Sequence, residues 1–224
     1  MTETSPQAAT GPVAAPRRAV PSPPLAATAA MLREEPGLVG ALGRSSTVLV
    51  VPEAAQAVAV SGIVALSRRR PMVVAMPTAA DAERLAADLA AFLPAEGIEL
   101  FPAWETLPFE RVSPSIETMG RRLRTLWRLR TGDPTLSVVV ATARALVQRL
   151  GPHVEDIEPI ELHLGDRVDS TELIERLVLG GYRREYQVEH RGELAVRGSI
   201  IDVFPSTADT PVRIDLWGDE VERL

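Results

Sequence analysis

Apolar and polar residues alternate along VRIDLW (Val212–Trp217). In an extended strand, successive side chains point to opposite faces, so Val212, Ile214 and Leu216 share one face and Arg213, Asp215 and Trp217 the other. The first is an ordinary core face. The second carries a charge, a counter-charge and an indole, and arginine with tryptophan on an open sheet face is the material of a protein-binding hot spot. Just upstream, Arg197 precedes GSIIDVF (Gly198–Phe204), a β-branched run, and PSTADTP supplies the turn between the two strands. The chemistry expected of this stretch is recognition. Two other readings of the same residues stay open: Trp217 as a core side chain, and Arg197 and Arg213 as cross-strand ion-pair partners of Asp202 or Asp215.

Other stretches invite catalysis and do not sustain it. A phosphate cradle needs glycines whose neighbouring N–H groups converge, a lysine for the phosphates and a hydroxyl for magnesium. TVLVV (Thr47–Val51) followed by PEAAQAVAVSG has the expected strand–loop–helix order but no glycine in the loop and no lysine. Pro52 also removes a backbone donor. All 24 basic residues of the chain are arginine, which excludes Schiff-base chemistry and a Walker A lysine within it. There is no cysteine, and the three histidines (His153, His163, His190) have no metal-ligand spacing. Carboxylates cluster at Asp215/Asp219/Glu220 and at Glu155/Asp156/Glu158, in turn-like surroundings that offer no pocket to push two pKa values apart.

GRRLRTLWRLR brings Arg121, Arg122, Arg124, Arg128 and Arg130 onto one helix, with Met119, Leu123, Leu126 and Trp127 as its apolar stripe. The plain reading is a solvated face over a buried stripe, with local acid pairing. The alternatives are DNA phosphates and another domain of a longer protein. From Asp166 to Leu224 there are 8 arginines against 13 acidic residues, a balance unlike a nucleic-acid surface that leaves individual arginines as specific anchors.

The elements that must position these groups fall into two blocks. Residues 1–24 are rich in Pro, Ala, Ser and Thr and read as a disordered leader. They lack the ordered charge and apolar core of a secretory signal, so a cytoplasmic protein is expected. The first block, 25–154, opens with a short helix over Ala26–Glu35, before Pro36-Gly37. There, buried strands at Thr47–Val51, Met72–Met76, Ile98–Phe101 and Ser137–Ala141 alternate with helices at Glu53–Arg70, Ala79–Leu93, Ser115–Arg130 and Ala143–Leu150. That rhythm means βαβ crossovers and a parallel sheet covered on both faces. Between the third strand and its helix, Trp104, Leu107 and Phe109 are expected to plug the sheet edge. The second block, 155–224, begins with a strand at Pro159–Asp166. A helix capped by Ser170 and ended at Gly180-Gly181 follows, then mostly antiparallel strands. The fold class expected is α/β, a parallel-sheet half-domain followed by a small α+β domain. With 46% hydrophobic residues and no apolar run long enough for a bilayer, no membrane partner is expected. The last residues, DEVERL, show no turn or cap, as in a fragment of a longer protein.

VRGSIIDVFP and VRIDLWGDEVERL together resemble the transcription-repair coupling factor (Mfd) family and its relative, the excision-repair protein UvrB. In both, RG-(apolar)-DxFP followed by R-(apolar)-(acid) belongs to a small domain that docks on UvrA. FPAWETLPFERVSPSIETMGRRLRTLWRL (Phe101–Leu129) looks specifically like the coupling factors, so the resemblance covers about residues 30–224. It implies that the first block is a degenerate RecA-like domain whose P-loop has been erased, and that the tyrosine-rich, damage-gripping hairpin of UvrB is replaced by AWETLPFERVSP. It also implies UvrA contact through Arg197, Arg213 and Trp217, the last standing where better-known members carry phenylalanine. For the parent protein it implies ATP- and magnesium-dependent translocation on double-stranded DNA, displacement of stalled RNA polymerase and recruitment of excision repair. This chain is expected to be an adaptor without enzymatic activity and with no cofactor or metal of its own. A DNA-binding module built on the Arg121–Arg130 helix and an atypical nucleotide hydrolase are the rival readings.

Overall fold

The computed structural model describes residues 22–67, 69–106, 113–150, 154–156 and 158–224. Residues 1–21 of the expected leader, Leu107, Phe109 and His153 lie outside them. The chain builds two sheets, each with its own apolar core.

The first sheet is reached through α1 (Thr28–Met31), α2 (Pro36–Ala41) and α3 (Gln56–Leu66). It consists of β1 (Met72–Met76), β2 (Ile98–Phe101) and β3 (Val138–Thr142), all parallel in the order β1-β3-β2. The connections are α4 (Ala79–Leu89) and α5 (Ile116–Thr131), and α6 (Ala143–Val147) follows β3. Thr78, Ser115 and Thr142 start α4, α5 and α6, each accepting the N–H three residues on. Gly132, at φ 65°, closes α5 in a left-handed cap that other residues adopt only with strain. Central β3 is apolar on both sides: Val138 and Val140 pack with Leu85 and Leu89 of α4, and Val139 and Ala141 with Phe101 and Leu126.

Two sequence expectations for this sheet are corrected. Thr47–Val51 is not a strand: the run lies outside the sheet, with Val48 86% and Val50 94% exposed. An apolar, β-branched run declares a preference for extension, but only a neighbouring backbone makes it a strand. Edge strand β1 is covered on one face only, since Met72, Val74 and Met76 join the core whereas Val73 and Ala75 are exposed.

The second sheet contains β4 (Arg183–Arg184), β5 (Glu193–Arg197), β6 (Ile200–Val203), β7 (Val212–Trp217) and β8 (Glu220–Arg223), in sequence order. Strand β4 runs parallel to β5, and every later pairing is antiparallel. Helix α7 (Ser170–Leu179) lays Leu173 and Leu177 on Leu194, Ile201, Val203, Ile214, Leu216 and Val221. Its cap is Asp169 rather than Ser170: the Asp169 carboxylate accepts from the N–H groups of Thr171 and Glu172. Pro159–Asp166 is also not a strand. It runs beside the sheet, Ile160 and Leu162 reaching the core, and its end is tied to β8 by Gly165 N–H to Val221 O and Val221 N–H to Asp166 O (2.9 Å each), next to an isolated bridge between Arg167 and Glu220. Gly218, at φ 65°, and Asp219 reverse the chain into β8, so the expected closing pair has a third strand beside it.

The two sheets meet through α5. Arg191 donates from Nη1 to Glu117 of α5 (2.8 Å), and from Nε and Nη2 to Ala208 O and Asp209 beyond β6. Gly120 of α5 faces Ser206, which a Cβ there would overlap, and Gly192 faces Ile116 in the same way.

Candidate docking face

The register places Asp202 of β6 directly opposite Arg213 of β7. Their side chains close a bidentate pair, Nε to Oδ1 at 2.7 Å and Nη2 to Oδ2 at 2.9 Å. The hydrogen bonds from Arg213 hold the Asp202 carboxyl below the usual carboxylate range against the opposing effect of burial, and the charges of Arg213 and Arg197 add to this. Arg213 is pushed up in turn by the same partner. One of the two cross-strand readings is therefore correct for Arg213: its ion-pair partner is Asp202. The pair does not use up the guanidinium: on this exposed residue the Nη1 donors make no bond among the described residues.

Trp217 ends β7 immediately before the turn at Gly218, and its side chain is 80% exposed. The core reading of this residue is overturned. Alternation put it opposite Ile214 and Leu216, which are buried, and that part of the reading holds. Val212, expected on the core face, is exposed at the sheet's end.

Arg197 ends β5 across from Ile200, beside the turn at Gly198. It forms no ion pair with Asp202 or Asp215 among the described residues. Its Nη2 instead donates to the backbone oxygen of Tyr186 (3.0 Å), and its guanidinium lies 5.3 Å from the centre of the Tyr186 ring. Sequence reasoning missed Tyr186, since nothing in YRREYQVEH says which residue reaches β5. Arg197, Arg213 and Trp217 thus lie on the side of the sheet away from α7. Arg197 and Trp217 stand toward the same end, where Leu216 N–H reaches Ser199 O (3.1 Å).

The arginine helix is organised differently from expectation. Its deepest positions are Thr118, Arg122, Thr125 and Arg128, not the apolar stripe Met119/Leu123/Leu126/Trp127, which is half buried. Arg128 joins Glu99 and Asp133 at 2.6 Å each, and Arg124 reaches the same Glu99 oxygen at 2.9 Å. Arg121 pairs with Glu117 and Arg130 with Glu158. Arg122 is 1% exposed, stacked between Phe101 and Trp104 at 4.2 and 4.4 Å, with Nη1 on Pro102 O. Trp104 thus covers an arginine instead of capping the sheet edge alone. Each of these guanidiniums is tied to a carboxylate, ring or carbonyl of its own fold, although Arg121 and Arg124 use one nitrogen each and Nε and Nη2 of the buried Arg122 have no partner among the described residues. The loop tested as a phosphate cradle lacks its strand, and Glu53 at its helix is held by Arg84 (2.7 Å). Of the carboxylate clusters, Glu158 accepts from Trp127 Nε1 (3.1 Å). No group of acidic residues and histidines suited to a metal ion occurs among the described residues.

Among the described residues, the second sheet has five strands backed by one helix, with a paired arginine, an arginine against a tyrosine ring and an exposed indole on its other side. Residues 160–224 match the UvrB interaction domain. Over most of its length the chain is homologous to a part of the transcription-repair coupling factors. It is 40% identical over 181 residues to the transcription-repair-coupling factor of Mycobacterium tuberculosis, covering 79% of this chain and 14% of that relative. To that of Escherichia coli it is 32% identical over 157 residues, 69% of this chain and 13% of the relative. To that of Myxococcus xanthus it is 34% identical over 163 residues, covering 70% and 14%. The chain therefore spans about one seventh of the length of these curated relatives. No helix among the described residues is long and apolar enough to cross a membrane.

Proposed function

We propose that this chain is the N-terminal adaptor module of a transcription-repair coupling factor and that it recruits UvrA through the open face of the second sheet. The observation that carries the reading is the joint exposure, on one side of a UvrB interaction domain, of Arg197, Arg213 and Trp217. Arginine and tryptophan are the residues on which binding energy concentrates, and here they sit on a rigid sheet with the arginines held in place beforehand. In the longer protein, the module acts beside ATP- and magnesium-dependent motor domains that move along double-stranded DNA and displace stalled RNA polymerase in the cytoplasm. The module itself needs neither nucleotide nor metal.

Titration of this chain against UvrA tests the reading, with Arg197→Ala, Arg213→Ala and Trp217→Ala alongside. Loss of a hot-spot arginine costs about 2 kcal/mol, roughly thirtyfold in affinity. Thirtyfold weaker binding by a variant whose melting curve is unchanged supports the face as the site. Equal affinities for wild type and all three folded variants would overturn it.

A further inference from the structure

Tyr186 is 89% exposed, yet its placement is defined. Just before it, Arg183 N–H donates to Gly192 O and Glu185 N–H to Leu194 O, both at 2.8 Å, so the segment is fastened to the edge of β5. Strand β4 ends at Arg184, and Tyr186 lies just past that end, where it meets the side chain of Arg197. It meets it twice: the backbone oxygen takes one Nη2 hydrogen, and the ring stands 5.3 Å from the guanidinium. An exposed arginine at a strand end otherwise samples many rotamers, all but one of which are lost on binding. A guanidinium seated on a ring keeps its remaining edge donors in a fixed plane, suited to a carboxylate or to carbonyl oxygens.

We infer that Tyr186 is a positioning residue of the docking face, holding Arg197 ready for a carboxylate- or carbonyl-presenting protein surface. The inference rests on the UvrA-docking reading of that face and extends it by a residue outside β5, β6 and β7. The hydrogen bond uses main-chain oxygen and survives any substitution, so the part of the role that depends on the side chain belongs to the ring. Phenylalanine should do what tyrosine does, and alanine should not.

The test is titration of the full chain against UvrA with Tyr186→Ala, Tyr186→Phe, Arg197→Ala, Tyr186→Ala/Arg197→Ala and Arg213→Ala. A cation on an exposed ring sets the scale: Tyr186→Ala should weaken binding about two- to fivefold. Tyr186→Phe should bind within experimental error of wild type. In the absence of Arg197, the alanine at 186 should have no further effect. Three results overturn the inference. If Tyr186→Ala binds normally while Arg213→Ala is weakened, Tyr186 lies outside the functional face. Full additivity in the double variant means that Tyr186 acts without Arg197. A Tyr186→Phe variant as weak as Tyr186→Ala assigns the effect to the hydroxyl. Normal binding by Arg213→Ala and Arg197→Ala as well would instead bring down the docking reading and the inference with it.

Discussion

Replacing Arg128 by methionine removes the guanidinium on which the inner face of α5 is built. Arg128 and Glu99 are both buried, and the arginine also binds Asp133 and Thr135 Oγ1 (2.8 Å). Methionine keeps most of the stem's packing, so the loss is electrostatic. Stripping one member from a buried pair costs about 3–5 kcal/mol, because the other charge stays in place without compensation. The low end applies here, about 3 kcal/mol, since Arg124 still holds the same Glu99 oxygen. Domains are stable by about 5–15 kcal/mol, so the variant should fold but unfold early. With a urea dependence of about 1–3 kcal/mol per molar, the midpoint should fall by about 1–3 M, read by far-UV circular dichroism. Adding Glu99→Leu should raise the midpoint again, because the orphaned charge leaves with its partner. A shift below about 0.3 M for Arg128→Met would correspond to a surface pair and refute the buried-network argument.

Acid should weaken the same corner. Hydrogen bonds from Thr135 and Arg128 hold the Asp133 carboxyl down to about 2 from 3.8. Its folded pKa lies below its unfolded one, so its contribution is complete above the ordinary carboxylate range and disappears as pH falls through about 2. Melting temperature against pH should therefore drop less steeply in this range for Asp133→Asn than for wild type, and parallel curves would disprove it. Neighbouring residues of β7 should behave oppositely: Leu216→Ala should cost about 2–5 kcal/mol, whereas Trp217→Ala should leave the melting temperature unchanged. A melting loss in both would return Trp217 to the core. Gly120→Val should destabilise by about 1–3 kcal/mol through overlap with Ser206, and an unchanged melting temperature would mean that α5 and the Pro205–Thr207 loop do not dock closely.

What was legible in the sequence depended on whether a local period controlled it. Strict alternation along VRIDLW sorted Ile214 and Leu216 from Arg213 and Trp217, because a pleated strand admits no other arrangement. The Asp202–Arg213 pair was visible only as one option, since the register across the PSTADTP turn decides which acid faces which arginine. The same limit explains the misreading at Thr47–Val51, where composition favoured extension but no partner strand was available. On α5, the apolar stripe was located correctly by spacing but assigned the wrong depth. Arginine was counted as solvated, although two aromatic rings within 4.4 Å and the Pro102 carbonyl bury Arg122, even with Nε and Nη2 left without a partner. Tyr186 left no periodic trace because its position follows from the bonds of Arg183 and Glu185 to Gly192 and Leu194, a pairing across the chain rather than a local period.

In a chain whose only cations are arginines, abundance of positive charge does not locate a binding surface. Where each guanidinium stands and what holds it say more. On α5, Glu99, Asp133, Glu117 and Glu158 account for Arg121, Arg124, Arg128 and Arg130, and the helix becomes a strut between the two sheets. On the second sheet the restraints are partial: Asp202 takes Nε and Nη2 of Arg213, and Tyr186 takes one donor and one face of Arg197. Each of those guanidiniums is therefore fixed in place yet unsaturated, and Trp217 beside them offers an apolar area with a single N–H. Fixing lowers the entropy lost on association, and incomplete pairing leaves enthalpy for the partner to supply. On the proposed reading, the arginines of α5 brace the first sheet and its link to the second, whereas Arg197 and Arg213, each held on an exposed sheet face, are the two offered to a partner.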